Sequence, residues 1–496
     1  ETDTEVVAHL IEKFYRRSLK EAVEKSVRRL QGSFALAAFS IKEPKTLVAA
    51  RRGSPLIVGE GEKGKFLASD LPALVPAQGS LAEKVVYLQE DEIAVITGDS
   101  LRIESCMGKR KSFKRERVNL KSQEVGKQNK EHFMIKEIFE QPRVMKDILA
   151  VYAPGNKLKN PASLLRWSKH SLKDLKYAKK VHIVACGTAY HAGFVGKYFL
   201  EKHCRLDAAI DTSSEFRYRK MNIRKGDLVI AISQSGETAD TLAAVREAKK
   251  KGALILSICN NVQNSSLMRE SDFCTNTLAG PEIGVASTKA YTAQVLCFYL
   301  IALYLAMQKN ILSAKEIGGM IKSFSRLNEH QKAVLSQAPK IKRIARAFSK
   351  FGSFLFLGRG INYPSALEGA LKLKEISYIP AEGYAAGEMK HGPIALIDEY
   401  RGIVCIAPRD ELYEKMISNM QEVKARKGKI VAILSQGDKE ASSLSDKIIS
   451  IPVTKNQDLT PLLVAVCLQL FAYYVAKNRG CEIDQPRNLA KSVTVE

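Results

Sequence analysis

No two cysteines in this 496-residue chain are spaced as Cys-x-x-Cys. The nine are scattered between Cys106 and Cys481, several inside apolar runs. That excludes a zinc ribbon and a disulfide framework, and it predicts reduced, buried thiols in a cytoplasmic protein. A signal peptide is also lacking. The longest apolar stretch, Val295–Met307, is too short to span a bilayer, so no membrane partner is expected and the stretch reads as a buried helix. Acidic residues are the minority: 53 Asp and Glu against 77 Lys and Arg leave a net charge of +24. The basic residues are spread along the chain in short runs, and no nucleic-acid-binding motif accompanies them. They read as a solvated surface that attracts anionic substrates, with no nucleic acid expected as partner. The chain opens on Glu1 without Met, as an internal fragment or a processed product would.

The composition supports ordinary cores, with 45% apolar and 26% charged residues. At this length two to four domains are expected, at roughly 100–200 residues each. Val6, Val7, Leu10, Ile11 and Phe14 recur at helical spacing, and strand-like runs follow at Ser33–Ile41, Thr46–Ala50, Val85–Leu88 and Ile93–Ile96. Residues 1–106 are therefore read as a small α+β unit, and the Lys- and Arg-rich stretch 107–135 as a linker. From Val181 onward apolar strands alternate with long helical patterns, which predicts an α/β fold with a parallel sheet. The pattern then repeats. Phe354–Leu357 echoes Ile183–Cys186, Val404–Ala407 echoes Val229–Ile232, and Ile430–Leu434 echoes Leu254–Ile258, at offsets of 171 to 176 residues. Two tandem domains are placed at 136–310 and 311–480, with a tail at 481–496.

Ser233-Gln234-Ser235-Gly236-Glu237-Thr238 follows an apolar strand and opens a helical pattern. Such a turn gathers backbone N–H groups and the positive end of a helix dipole. Three hydroxyls add donors, and no Lys or Walker spacing is present, so a phosphomonoester suits the loop better than a nucleoside triphosphate. Ala185-Cys186-Gly187-Thr188 brings a second glycine turn to the same sheet edge. Farther on, Glu368, Lys372 and Glu375 fall at i, i+4 and i+7 on one helix face. That spacing fits either a solvent-facing ion-pair ladder or a carboxylate kept ionised for proton transfer. A loop histidine, His391, follows between Lys390 and Gly392-Pro393.

These segments resemble the glutamine–fructose-6-phosphate aminotransferase family: Ser-Gln-Ser-Gly-Glu-Thr at 233–238, Lys-Leu-Lys-Glu-Ile-Ser at 372–377, Lys-His-Gly-Pro at 390–393 and Asp-Gln-Pro-Arg-Asn-Leu-Ala-Lys-Ser-Val-Thr-Val-Glu at 484–496. The tail motif is the most specific, whereas the phosphate loop is shared by all sugar-isomerase (SIS) domains. The resemblance covers essentially the whole chain. It implies two tandem SIS domains preceded by part of an α+β, Ntn-type glutamine amidotransferase domain, with fructose 6-phosphate and an amino donor converted to glucosamine 6-phosphate. Thr188, Ser233, Gln234, Ser235 and Thr238 would hold the sugar phosphate, and Val285, Ser287 and Glu368 would line the sugar site. Lys491 would form a Schiff base with the ketose carbon. Glu375 would carry the proton from C1 to C2, Lys372 would assist at the neighbouring oxygen, and His391 would open the sugar ring from the partner subunit of a homodimer. Neither a metal nor another cofactor is implied.

Ala189 and Pro380 depart from relatives that carry Ser and His there, away from the acid–base set. The larger departure is at the start. The family's Cys nucleophile and Asn-Gly pair would precede Glu1, while Asp3 in Thr2-Asp3-Thr4 resembles the clamp for the glutamine amino group. On that reading this chain isomerises or uses ammonia but does not hydrolyse glutamine. The competing readings are a non-catalytic sugar-phosphate sensor, an ammonia-independent isomerase and a nucleic-acid binder.

Overall fold

The computed structural model describes residues 2–75, 79–118, 126–158, 164–167, 172–260 and 265–494. It divides into two compact units, one of Glu1–Gln128 with Glu237–Ala239 and Ser492–Glu496, the other of Asn129–Gly236 with Asp240–Lys491.

In the first unit Thr2 and Ser18 are extended, and each hydroxyl accepts an amide N–H three residues on. They start the helices Asp3–Phe14 and Leu19–Val27. Strands β1 (Phe34–Phe39), β2 (Leu47–Arg52), β3 (Ile57–Gly61), β4 (Gly64–Ala68), β5 (Lys84–Tyr87), β6 (Glu92–Ile96), β7 (Leu101–Ser105) and β8 (Glu116–Arg117) make two antiparallel sheets, ordered β1-β2-β6-β7 and β4-β3-β5-β8. Alternation along β2 explains the layering. Val48 and Ala50 pack with Leu19, Val23 and Val27, while Ala49 packs with Val58, Val86 and Ile103. The expected linker is not structureless throughout. Its Glu116–Arg117 pairs with β5, and Val118 N–H donates to Glu83 O at 2.9 Å. Of its basic side chains, Arg117 stands on that sheet edge, where strand pairing needs only backbone.

The second unit holds the repeat. Strands β9 (Arg166–Trp167), β10 (Lys180–Ala185), β11 (Asp207–Thr212), β12 (Leu228–Ser233), β13 (Leu254–Cys259) and β14 (Phe273–Asn276) form a sheet ordered β11-β10-β12-β13-β14-β9, parallel except for β9. Strands β15 (Phe354–Gly358), β16 (Ala381–Ala385), β17 (Gly402–Ala407), β18 (Lys429–Ser435) and β19 (Lys447–Ile451) form a fully parallel sheet ordered β16-β15-β17-β18-β19. The five parallel strands of the first sheet match the second in order, and the antiparallel β9 has no counterpart there. β12, β13 and β17 are buried along their whole length, as strands covered on both faces must be.

Helices Lys289–Gln308 and Thr460–Asn478 occupy equivalent places, and each is buried nearly throughout. Both are long and apolar enough to cross a membrane. The 20-residue helix exceeds the Val295–Met307 run because Lys289, Thr292 and Gln294, polar but buried, extend it. The Leu and Phe side chains on these helices contribute about 1.5–3 kcal/mol each by leaving water. Gly196 lets the helix Gly187–Cys204 approach the Phe298 ring, which a Cβ would strike. The helices Ala314–Phe324, Leu327–Leu335 and Ala338–Phe348 precede β15. Gln331 donates to Leu462 O and Gln337 to Ser450 O, which ties them to the second copy.

Candidate active site

All the parallel strands of the first copy end at one sheet edge, and the predicted phosphate loop lies there. Ser233 closes β12, is buried, and its Oγ accepts the Gly236 N–H at 2.9 Å. Gly236 has φ +70°, and a Cβ would strike the Ser265 side chain, so only glycine fits. Gln234 O accepts Asn260 N–H at 3.1 Å, while Gln234 and Ser235 stay partly exposed. Thr238 follows in the sequence just before the helix Ala239–Lys250. After β10, Gly187 at φ +54° starts its helix, with Thr188 in the first turn.

Thr188 joins that edge to the second copy. Its Oγ1 receives a hydrogen bond from Lys372 Nζ at 2.8 Å and donates to Glu368 Oε1 at 3.2 Å. Lys372 Nζ also lies 2.6 Å from Glu375 Oε2 and 3.5 Å from Glu368 Oε1. Burial would push the Lys372 pKa down, but the charges of Glu368 and Glu375 outweigh it and hold the pKa above the usual lysine value. Lys372 is therefore an ammonium between two carboxylates. Glu368 and Lys372 are buried, which removes the surface-ladder reading, while Glu375 remains partly open to an incoming molecule. On its other side Glu368 Oε2 lies 2.8 Å from Nδ1 of His191, one turn beyond Thr188.

A second cluster surrounds the tail lysine. Lys491 Nζ donates to Glu282 Oε2 at 2.8 Å and to Gly284 O at 2.7 Å. Burial would raise the Glu282 pKa, but Lys491, together with the Thr288 and Ala290 amides, brings it down to about 2. Val285 and Ser287 lie just beyond, both partly exposed. Asp484, the first residue of the tail motif, accepts the Phe133 and Met134 N–H groups at 2.8 and 3.0 Å and so caps the helix Phe133–Tyr152. Its own carbonyl accepts Val285 N–H at 3.0 Å.

The structure thus brings Thr188, Glu368, Lys372 and Glu375 into one network and sets Lys491 beside the 282–288 loop. It leaves two expected residues apart. His391 is exposed and makes no hydrogen bond or ion pair with the network. Asp3 is exposed on the first helical turn, where Oδ1 accepts Thr4 N–H. Among the described residues no cluster of His, Cys, Asp and Glu suits a metal ion. The sequence reading missed His191 and Glu282. His191 was signalled only by its place one turn after Thr188. Glu282 stands three residues before Val285, the first residue expected at the sugar site in that loop.

Comparison with known proteins places these elements. An SIS domain model matches residues 174–304 and again 348–479, and a glutamine amidotransferase domain model matches 1–76. Glutamine–fructose-6-phosphate aminotransferase [isomerizing] from Chlorobaculum tepidum is 45% identical over 501 residues, covering 100% of this chain and 80% of the relative. The enzyme of the same name from Aquifex aeolicus is 46% identical over 498 residues, with 100% and 79% covered. Among solved structures, the C-terminal domain of glucosamine-fructose-6-phosphate aminotransferase from Francisella tularensis matches 73% of this chain and 100% of its own length, at TM-score 0.69 and 39% identity. Glucosamine-6-phosphate deaminase from Thermotoga maritima, at 21% identity and TM-score 0.55, shares the fold. With its paired SIS domains, its amidotransferase segment and full-length likeness to these relatives, the chain belongs to the isomerising glutamine–fructose-6-phosphate aminotransferase family.

Proposed function

We propose that this chain makes glucosamine 6-phosphate from fructose 6-phosphate and an amino donor. The observation that carries the proposal is the buried Lys372 ammonium, which touches Thr188 at the phosphate edge and Glu375 at the open end of the same network. A phosphate at Ser233, Gln234, Ser235 and Thr188 sets the sugar's reacting end toward Glu375. Lys491, as free amine, attacks the C2 carbonyl of the open sugar, and loss of water leaves an imine. The amino donor's nitrogen replaces Lys491 at C2. Glu375 removes a proton from C1 and returns it to C2, so that C1 becomes the aldehyde and C2 carries the amine. Lys372 steadies the charge that develops on the C1 oxygen. Val285 and Ser287 line the sugar.

A homodimer with His391 given across subunits fits the exposure of His391 and its lack of partners in the network. Sedimentation is expected to give a dimer, and a monomer at assay concentration ends that part of the reading. Nine free cysteines suit the cytoplasm.

The test incubates the chain with fructose 6-phosphate, with and without ammonium, and assays glucose 6-phosphate and glucosamine 6-phosphate. Borohydride then traps any sugar adduct for peptide mapping. Turnover that disappears in Glu375→Gln, with the adduct on Lys491, is the expected result. Sugar-phosphate binding with neither turnover nor adduct would replace this reading with that of a sensor.

A further inference from the structure

Glu137 lies near the start of the helix Phe133–Tyr152 that Asp484 caps, just past its first turn, and is fully buried. Its Oε1 accepts two backbone N–H groups, from Ile283 at 2.5 Å and Gly284 at 3.3 Å. Its Oε2 is buried without a hydrogen-bond partner and lies against Gly284, where a Cβ would come within 3.1 Å of it. The carbonyl of Gly284 is one of the two groups that hold Lys491 Nζ, and Glu282 is the other. Glu137 and Lys491 therefore grip one short stretch of backbone, Glu137 through its amides and Lys491 through its carbonyl.

The stretch is fixed from every side. Glu282 Oε1 takes the Thr288 and Ala290 amides, and the Asp484 carbonyl takes Val285 N–H. The Asp484 carboxylate closes the ring by capping the helix that carries Glu137. Two amide bonds could be accepted equally well by a glutamine oxygen. A carboxyl with one orphaned buried oxygen calls for another reason, because a buried polar atom left unpaired is costly.

We infer that Glu137 is a positioning residue for Lys491, acting through the Ile283–Gly284 backbone, and that the proton it carries decides how firmly the Lys491 ammonium is held. This rests on the proposed role of Lys491. Burial and then the Glu282 charge push Glu137 up to about 8, against the pull of Lys491, Lys289 and the Ile283 amide. The groups around it are Glu282 and Lys491 from the loop and tail and Lys289 from the next helix. Lys136 and Glu140 lie on its own helix, and Glu140 also pairs with Lys289 at 2.7 Å. While Glu137 is neutral, Lys491 faces one buried anion. Once Glu137 ionises it faces two, and the second anion retains the proton that must leave before the amine can attack.

The test needs no turnover. The full chain is pulsed with acetic anhydride between about pH 6 and about pH 10, and acetylation of Lys491 is read by peptide mass spectrometry. In the wild type the labelling rate rises in two steps that break near the Glu137 titration. In Glu137→Gln it rises in one step and lies above the wild type once the pH has passed the Glu137 titration, the two curves meeting again where the lysine is fully deprotonated. Superimposable profiles, or a single-step rise in the wild type, overturn the inference. The wild-type curve decides alone where the variant does not fold. Absence of a trapped fructose 6-phosphate adduct in the wild type removes the proposed role of Lys491 instead, and that result is read separately from the labelling curve.

Discussion

At the scale of single residues, Thr188 is the most economical test of the network. Thr188→Val keeps the volume and deletes the hydroxyl that Lys372 and Glu368 share. A buried ammonium then loses a partner, a loss of about 1–3 kcal/mol. The variant is expected to lose at least tenfold in kcat/KM for fructose 6-phosphate while its melting curve stays cooperative; an unchanged kcat/KM would remove Thr188 from the site. His191 acts on the same carboxylate from the other side. His191→Phe should lower kcat more than it raises KM, because Glu368 loses a partner and no expected phosphate donor is touched. A pure KM effect in steady-state kinetics would show that the ring serves only to shape the pocket. Both partners are hard to read in a sequence. Thr188 stands out by following a glycine turn, but nothing in residues 187–191 says that a helix 180 residues away will meet it.

At the scale of elements, the repeat was legible and the joints were not. Strands β10, β12 and β13 and their second-copy counterparts announce themselves as apolar runs at a common offset, since strands covered on both faces leave no room for polar residues. The hairpin β3–β4 escaped because Gly59, Gly61 and Gly64 dilute its apolar signal. Glu368 and Lys372 show the opposite difficulty: their spacing suits a surface ladder, and only the packing of the helix Tyr363–Ser377 against Gly187–Cys204 reveals that they are buried. The tail motif could be recognised by resemblance, yet its work as a helix cap could not, because Asp484 and Phe133 are remote in sequence. Asp484→Ala removes the carboxylate that takes two first-turn amides. It should cost about 0.5–2 kcal/mol and lower the melting temperature in calorimetry. An unchanged melting temperature would mean that water caps the helix equally well.

At the scale of the whole second unit, one buried acid spans the two copies. Asp458 accepts from Lys202 and lies 2.9 Å from His203, at the end of the first copy's helix, just before the second copy's helix Thr460–Asn478. Burial would raise its pKa, but His203 and Lys202 outweigh burial and hold it below the ordinary Asp value. A carboxyl with a lowered folded-state pKa adds stability that is present above its unfolded pKa, about 3.9, and is lost as pH falls through the folded value. Denaturant melts should therefore weaken below about pH 4 in the wild type and much less in Asp458→Asn. Parallel pH curves for the two proteins would show that other carboxylates control acid unfolding.

The Thr188 hydroxyl has a single proton, and it is already committed to Glu368 while Lys372 occupies a lone pair. A phosphate oxygen arriving at that hydroxyl would ask for the same proton. Anchoring the sugar would then loosen Glu368 and leave the Lys372 ammonium leaning further toward Glu375. The phosphate would act as a key as well as a handle: a sugar without it could still meet Glu375, but would find the lysine beside it set for the empty state.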